Sequence, residues 1–226
     1  GIGKKTGIDI EGEVSGLLPS SEWKMRQYNQ KWYAGDTISV AIGQGYNLAT
    51  PLQLAVATMI IANNGKVYFP HLVKQIQNSQ TGEIENIPAK PLNTLNLKPQ
   101  HLDIVKNALV DVTRPGGTAA KASINAAYTF AGKTGTSQVI GIKQGERYNE
   151  KSINERHRDH AMFIAYAPAE DPKIALAVLV ENTGTGGSTA APIARQVFDY
   201  FLLGKPTEST IAQITESAEE HIHDHL

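Results

Sequence analysis

The chain has 226 residues, 41% of them hydrophobic, with 21 Lys and Arg against 22 Asp and Glu and no cysteine. That much apolar material excludes wholesale disorder, and the missing cysteines exclude disulfides and thiolate metal sites. A net charge of −1 without a basic cluster argues against nucleic acid, whose phosphates need clustered Lys and Arg. Residues 1–36 are rich in glycine, charge and aromatics and read as irregular, with at most one short helix near 20–30. "TISVAIGQG" (37–45) reads as a short extended segment ending in a glycine turn. Thr50 and Pro51 then open a helix, one capping free amides and the other suiting the first helical position. Leu52, Val56, Met59 and Ile60 give it a stripe, Asn64-Gly65 ends it, and its apolar character on all sides predicts deep burial.

"KVYFPHLVKQIQNSQTGEIENI" (66–87) alternates around Thr81-Gly82, a hairpin signal. A helix follows from Pro99, with Leu102, Val105, Leu109 and Val112 in one stripe, and Arg114-Pro115-Gly116-Gly117 stops it. Three strands come next, within "YTFAGKTGTSQVI", "AMFIAYAP" and "KIALAVLVEN". The last two are joined by a tight turn at Ala169–Pro172, and their continuous apolar runs predict cover on both faces. Residues 189–202 form a helix with Ile193, Val197, Phe198 and Phe201 on one side. The whole is read as α+β, helices packed on an antiparallel sheet, over residues 1–204. Residues 205–226 are a polar, acidic, His-containing tail, expected to be disordered. No apolar run approaches the roughly 20 residues that span a bilayer, and no signal peptide is visible. The start at Gly1-Ile2-Gly3 without methionine is read as that of a piece of something longer.

"AGKTGTSQV" (131–139) carries two chemistries on its face. A phosphate loop needs G-x-x-x-x-G-K-[ST], but position 127 is Ala127, and "TGTSQVI" favours strand over the helix such a loop must open. "GQGYNL" likewise fails as a dinucleotide fingerprint, since Leu48 takes the third glycine position. The alternative is the K-T-G motif of serine acyl-transfer sites. There a strand edge pairs with an extended peptide, and Gly135 lets its backbone come close. The hydroxyls of Thr134 and Thr136 donate to a carboxylate, Lys133 supplies positive charge, and the Thr136 amide serves as an oxyanion donor. In a regular strand Lys133 and Thr134 point to opposite faces, so one cleft uses both only by wrapping the edge. Three residues alone are equally a lysine in a hairpin.

The wider context is more specific. "ISVAIGQGYNLATPLQLAVATMIIANNG", then "PGGTA", then "AGKTGTSQV" resembles the C-terminal half of class B penicillin-binding protein transpeptidase domains. "KTGIDIEGEVSGLLPSSEWK", "WYAGDTISVAIGQGY" and "ERHRDHAMFIAYAP" are similar to the penicillin-binding protein 2 type of the elongation system in Gram-negative bacteria. The resemblance reaches residue 203. It implies the penicillin-binding protein/β-lactamase-like fold and a D,D-transpeptidase acting on D-Ala-D-Ala stem peptides of peptidoglycan, with β-lactams acylating the same serine. It implies no cofactor or metal. Lys133 and Thr136 would be the catalytic contribution, and Lys133, Thr134, Gly135 and Thr136 the carboxylate site. It also implies an inner-membrane anchor outside this chain, a periplasmic location, and a membrane glycosyltransferase as partner. The other reading is a non-catalytic module of the same family that binds cell-wall peptide or a partner protein; a β-lactamase is weaker, since no carboxylate for fast deacylation is evident.

The nucleophile should stand in S-x-x-K, where one helical turn sets the lysine amine beside the hydroxyl. Ser21-Glu22-Trp23-Lys24 matches, but its helix is polar with no apolar stripe. It reads as a surface helix capped by Ser20 or Ser21. Ser123-x-Asn125 and Ser152-x-Asn154 match the second motif, S-x-N, in unsuitable places: one too close to Lys133, the other after it. The first two motifs are therefore expected before Gly1. His157, Asp159 and His160 offer a metal cluster, against ion pairing with Arg156 and Arg158. His221, His223, Asp224 and His225 offer another, against a solvated tail. Trp23, Trp32 and Tyr33 are core, or an aromatic rim on a groove.

Overall fold

The structure is a computed structural model and describes residues 1–140, 153–183 and 186–204. The elements, in order, are α1 (Ser21–Tyr28), α2 (Ala34–Ala41), α3 (Pro51–Ala62), β1 (Lys66–Tyr68), β2 (Gln75–Gln77), β3 (Ile84–Asn86), β4 (Pro91–Thr94), α4 (Pro99–Asp111), β5 (Ala131–Ser137), β6 (His160–Ala167), β7 (Ile174–Val180) and α5 (Ala190–Leu203). They divide into two compact units, residues 1–108 with Ala175–Ala177, and the described residues of 109–174 and from 178 onward. The expected tail, 205–226, lies outside the described residues.

In the first unit, Ser20 caps α1 by accepting from the Trp23 amide, and Asn29 closes it in the left-handed region. Residues 37–41, expected to be extended, belong instead to helix α2. Asp36 explains the difference. Its carboxylate accepts from the Tyr33 amide at the helix start and pairs with buried Lys24 at 2.5 Å. These contacts fix the first turn, and the β preference of Thr37, Ile38 and Val40 is too weak to resist them. The glycine turn after it is as expected, with Gly43 and Gly45 at positive φ.

Helix α3 starts as its sequence predicts. The Gln53 amide donates to Thr50 Oγ1, and the Thr50 amide donates to Gln53 Oε1, a reciprocal cap with Pro51 at the first position. The buried Gln53 amide group also donates to the carbonyls of Lys4 and Ser15 at 2.7 and 2.6 Å, tying down the N-terminal stretch. Only Gln53, Thr58, Ile60 and Ala62 are buried, so the expected burial on all sides is not observed. β1 and the N-terminal stretch cover one side, and Leu52, Leu54 and Val56 remain half-buried. The hairpin expected around Thr81-Gly82 is β2–β3, with Ile76 opposite Glu85. β1 is not part of it; it pairs antiparallel with β4.

β5, β6 and β7 form a three-stranded sheet in that order, which belongs to the second unit except for Ala175–Ala177 of β7. β5 and β6 are antiparallel from Ala131 opposite Tyr166 to Ser137 opposite His160. Ala161, Phe163 and Ala165 of β6 are buried while Met162 and Ile164 are half-buried, and β7 has no fully buried residue. The sheet therefore buries one face rather than both, as antiparallel sheets commonly do. Helix α5 packs on the buried face through Ala190, Ala191, Ala194 and Phe198. Phe198 and Phe130 meet edge-to-face at 5.6 Å.

Helix α5 buries little of its apolar stripe. Ile193, Val197 and Phe201 are exposed, and of the four predicted residues only Phe198 is buried. In their place Arg195 and Asp199 go inside, 2.7 Å apart. Tyr128 donates to the same carboxylate oxygen at 2.6 Å. The Arg195 guanidinium also reaches the carbonyls of Ala122, Ile124 and Asn125 at 3.1–3.3 Å. A charge pair tolerates burial when its remaining donors and acceptors are used this fully. Burial and the Asp199 bond hold the Tyr128 hydroxyl well above the usual tyrosine range.

Candidate active-site groove

β5 pairs with β6 along one edge, and no described strand pairs with the other. Along β5 lies an open groove of about 760 Å³, lined by Lys133, Thr134, Gly135 and Thr136 on one side. A flat strand face shows only alternate residues. Four consecutive residues line this groove, so it follows the strand's free edge, and the parity difficulty at Lys133 and Thr134 is met in that way. Gly132, Lys133 and Thr134 sit inside a strand rather than at a helix start, which removes the phosphate-loop reading.

Two further segments complete the groove. Gly117, Thr118, Ala120 and Lys121 form the chain after α4. A Cβ at Gly117 would stand 2.2 Å from the Val112 carbonyl oxygen, so only glycine lets the chain fold back this tightly. Thr118 Oγ1 lies 3.0 Å from Thr134 Oγ1 and joins this segment to β5. Gly186, Gly187 and Ser188 supply the third side. A Cβ at Gly186 would come within 2.1 Å of the Met162 carbonyl oxygen and 2.6 Å of that of Gly135. The turn therefore lies directly on the strand at the motif glycine.

The support behind the groove is buried and polar. Thr113 is 3% exposed, and its hydroxyl donates to the Phe130 carbonyl at 2.7 Å, just before β5. Ser123 donates to the carbonyls of Thr113 and Ala120. Asn125 adopts positive φ and gives its carbonyl to Arg195. Ser123-x-Asn125 is thus part of the scaffold, in keeping with its reading as an accidental match. Ser152 of the other S-x-N match lies outside the described residues; Asn154 caps a short 3-10 turn at Glu155–His157.

In the groove, Lys133 Nζ donates to the Thr134 carbonyl at 2.7 Å, its only hydrogen bond or ion pair among the described residues. Lys24 is different. Its side chain is 4% exposed, bonded to Asp36, and stacked over Tyr33 and Tyr46 at 4.9 and 5.7 Å. The Asp36 bond raises its pKa above the ordinary lysine value, and lysine in turn lowers that of Asp36. Ser21 is exposed, and the cap belongs to Ser20. Trp23 packs against Tyr28 and Tyr46 at 5.6 and 5.1 Å, which favours the core reading for that residue. Trp32 donates to Thr37 Oγ1, and Tyr33 faces Lys24.

Asp159 accepts from the Val139 amide, His160 from the Asn182 amide, and His157 is exposed. Among the described residues no group of three or more His, Cys, Asp or Glu is placed to hold a metal. The second cluster, His221–His225, lies outside them. Also among the described residues, no helix is long and apolar enough to cross a membrane.

The "Penicillin binding protein transpeptidase domain" family model matches residues 1–199. The chain belongs to this family. Transpeptidase-domain relatives include the peptidoglycan D,D-transpeptidase MrdA of Haemophilus influenzae, 45% identical over 204 residues, which cover 89% of this chain and 31% of the relative. MrdA of Acinetobacter baumannii is 46% identical over 204 residues, 90% of this chain and 30% of the relative. The chain therefore spans about a third of the length of these relatives. Among solved structures, penicillin-binding protein 2 of Pseudomonas aeruginosa in complex with WCK 5153 matches with a TM-score of 0.74 and 39% identity, over 92% of this chain and 42% of that one. Penicillin-binding protein 2 of Helicobacter pylori, in complex with MreC, matches with a TM-score of 0.71 and 34% identity, over 90% of this chain and 34% of that one. The fold is thus the α+β transpeptidase fold of the penicillin-binding proteins, and the similarity lies with the penicillin-binding protein 2 type.

Several groove residues carry little signal in the sequence. Thr118 lay within the quoted "PGGTA", but Lys121 and Gly186–Ser188 carried no local signal. Arg195 and Asp199 were visible as an i, i+4 opposite-charge pair in an apolar helix.

Proposed function

We propose that this chain is the carboxylate-gripping portion of a peptidoglycan D,D-transpeptidase, and that Ser21 is not its nucleophile. The supporting observation is the groove itself: Lys133, Thr134, Gly135 and Thr136 all line the free edge of β5, where an extended peptide adds as a strand. Thr134 and Thr136 donate hydroxyls to the C-terminal carboxylate, and Lys133 supplies charge. The Thr136 amide faces the developing oxyanion. In the complete site a serine hydroxyl attacks the carbonyl of the penultimate D-alanine. The peptide C–N bond breaks, D-alanine leaves as the amine with the serine's proton, and an ester remains. The amine of a second stem attacks this ester, forming the cross-link and restoring the serine. A β-lactam opens on the same serine. The names of the relatives favour this substrate class. The family resemblance adds a periplasmic setting, an inner-membrane anchor, a role in cell shape and a glycosyltransferase partner.

Lys24 supports the reading of Ser21. A serine's base must give up and take a proton near neutral pH. A lysine whose ammonium is buried against Asp36 is poorly suited to that. Incubation with fluorescent penicillin should leave the chain unlabelled; labelling that disappears in Ser21→Ala would overturn this assignment. For the groove, titration with N-acyl-D-Ala-D-Ala should shift the amides of Gly135 and Thr136. A peptide ending in carboxamide should bind about tenfold more weakly, the size of one lost charge-assisted hydrogen bond. Equal binding of the two peptides would remove the carboxylate assignment.

A further inference from the structure

The third side of the groove has two anchors. A Cβ at Gly186 would stand 2.1 Å from the Met162 carbonyl oxygen, and one at Gly187 would stand 2.2 Å from that of Thr118. The backbone here rests directly on its neighbours, so any change in its seat alters the groove beside Thr134 and Gly135. On the α5 side the Gly186 carbonyl accepts the Ala191 amide at 2.9 Å. On the β7 side the chain leaves the strand at Val180 and reaches Asn182, four residues before Gly186. Asn182 redirects it from the left-handed region, φ 59°. Its amide donates to Nδ1 of His160 at 3.0 Å. Its side-chain oxygen is buried without a hydrogen-bond partner, so the backbone amide is what ties this end to β6.

His160 is half-buried at the first position of β6, opposite Ser137 at the end of the motif strand. Asp159 beside it accepts the Val139 amide at 3.3 Å, just past β5. These two residues therefore hold the exits of both β5 and β7. The His160 bond has a condition. Nδ1 accepts only in the neutral ring, with the proton on Nε2; a protonated ring carries N–H on both nitrogens and meets the Asn182 amide donor to donor. The charged neighbours are Arg158 and Asp159 before the strand, Lys133 on β5 and Glu181 after β7. Helix α5, packed on β6, brings Arg195 and Asp199, which are bonded to each other. Carboxylates, ammonium and guanidinium groups ordinarily keep their charges between pH 5 and 8, so the imidazole is the group that changes.

Resting on the function proposed above, we propose that His160 is a positioning residue for the groove: its neutral ring holds Asn182 and thereby seats Gly186 against Gly135. Protonation of the ring breaks that joint and loosens the third side, leaving Lys133–Thr136 in place on β5. The groove then grips its peptide less well in acid, although the peptide carboxylate and Lys133 are still charged.

The test titrates N-acetyl-D-Ala-D-Ala into the 226-residue chain at pH 7.5 and at pH 5. Wild-type binding should weaken about fivefold at the lower pH, the net size of one hydrogen bond. His160→Ala should bind about fivefold more weakly than wild type at pH 7.5 and change less than about twofold with pH. His160→Asn puts a side-chain oxygen where Nδ1 stood and cannot be protonated there, so it should keep most of the affinity at both pH values. The inference is overturned if wild-type binding is the same at both, if His160→Asn weakens in acid as wild type does, or if it binds no better than His160→Ala. Should the alanine variant fail to fold, the comparison of wild type with His160→Asn decides alone. Without ligand, the Asn182 and Gly186 amide resonances should move with the same midpoint as the His160 ring, and should not move in His160→Asn. If the peptide shifts no amide of Gly135 or Thr136, the groove assignment fails, and these ligand-free resonances still decide whether the joint exists.

Discussion

Lys24 and Lys133 each stand in a motif that pairs a lysine with a hydroxyl, and the fold treats them oppositely. Lys24, in the S-x-x-K match, is buried in the first unit, bonded to Asp36 and overlaid by Tyr33 and Tyr46. Lys133, in K-T-G-T, stands exposed on a strand edge with only a neighbouring carbonyl. A cation already neutralised stabilises structure; a cation without a counter-charge beside a groove is available to a ligand. Sequence patterns do not make that distinction, because it lies in the surroundings of the ammonium. A similar contrast holds within the second unit, where Arg195 is spent on Asp199 and three carbonyls while Lys121 is free of such bonds among the described residues.

The largest test of this contrast is Asp199→Ala. It leaves the Arg195 charge buried without its counter-ion and should cost about 3–5 kcal/mol, read from urea unfolding. A loss below 1 kcal/mol would mean that this charge pair does not hold the unit. Tyr128→Phe removes one hydrogen bond to the same carboxylate and should cost about 2 kcal/mol. Its pH dependence has a definite sign. The folded pKa of Tyr128 lies above the ordinary value of 10.0, so the tyrosine's contribution is full below pH 10 and is lost as pH rises through the folded value. Alkaline unfolding should therefore be less steep in Tyr128→Phe than in the wild-type chain.

On the other side of the contrast, Lys133→Ala should change stability by less than about 0.5 kcal/mol, as exposed substitutions do. It should weaken D-Ala-D-Ala peptide binding about tenfold, close to 1.4 kcal/mol. Lys24 reverses that pattern: its replacement should destabilise the first unit and leave peptide shifts at Gly135 unaltered. The pair also sets acid behaviour. Asp36 has a folded pKa below its ordinary 3.8, so its contribution is present above pH 3.8 and lost as pH falls through the lower, folded value. Asp36→Asn should flatten the acid limb of unfolding followed by Trp23 fluorescence.

Much of this organisation was legible because its signals are local. Thr50 and Pro51 announce α3, Thr81-Gly82 announces the β2–β3 hairpin, β-branched residues announce β5, and apolar runs announce β6 and β7. The motif strand was legible for the same reason, since its glycine-flanked threonines favour an extended chain. Failures occurred where distant partners decide. Helix α2 depends on Asp36 finding Lys24, twelve residues away. The inner face of α5 could not be chosen by apolarity, since a fully bonded Arg–Asp pair displaces Ile193, Val197 and Phe201 from it. The second wall of the groove depends on Gly117 folding the chain back and on Thr118 meeting Thr134, sixteen residues on. An isolated lysine such as Lys121 gains meaning only from that closure.

The smallest expected effect belongs to Ser21→Ala, and its smallness is what makes it informative. Ser21 is exposed at the first turn of α1, where the side-chain cap is provided by Ser20 Oγ on the Trp23 amide. Losing the Ser21 hydroxyl removes no cap, and alanine is the better helix former, so stability should move by no more than about 0.5 kcal/mol. Ser20→Ala should cost about 1 kcal/mol, since it leaves that amide unsatisfied. Neither change should alter the response of the chain to fluorescent penicillin. If Ser21→Ala proved the costlier of the two, or abolished a covalent adduct, Lys24 would have to leave Asp36 to serve as a base, and the distinction drawn between the two lysines would collapse.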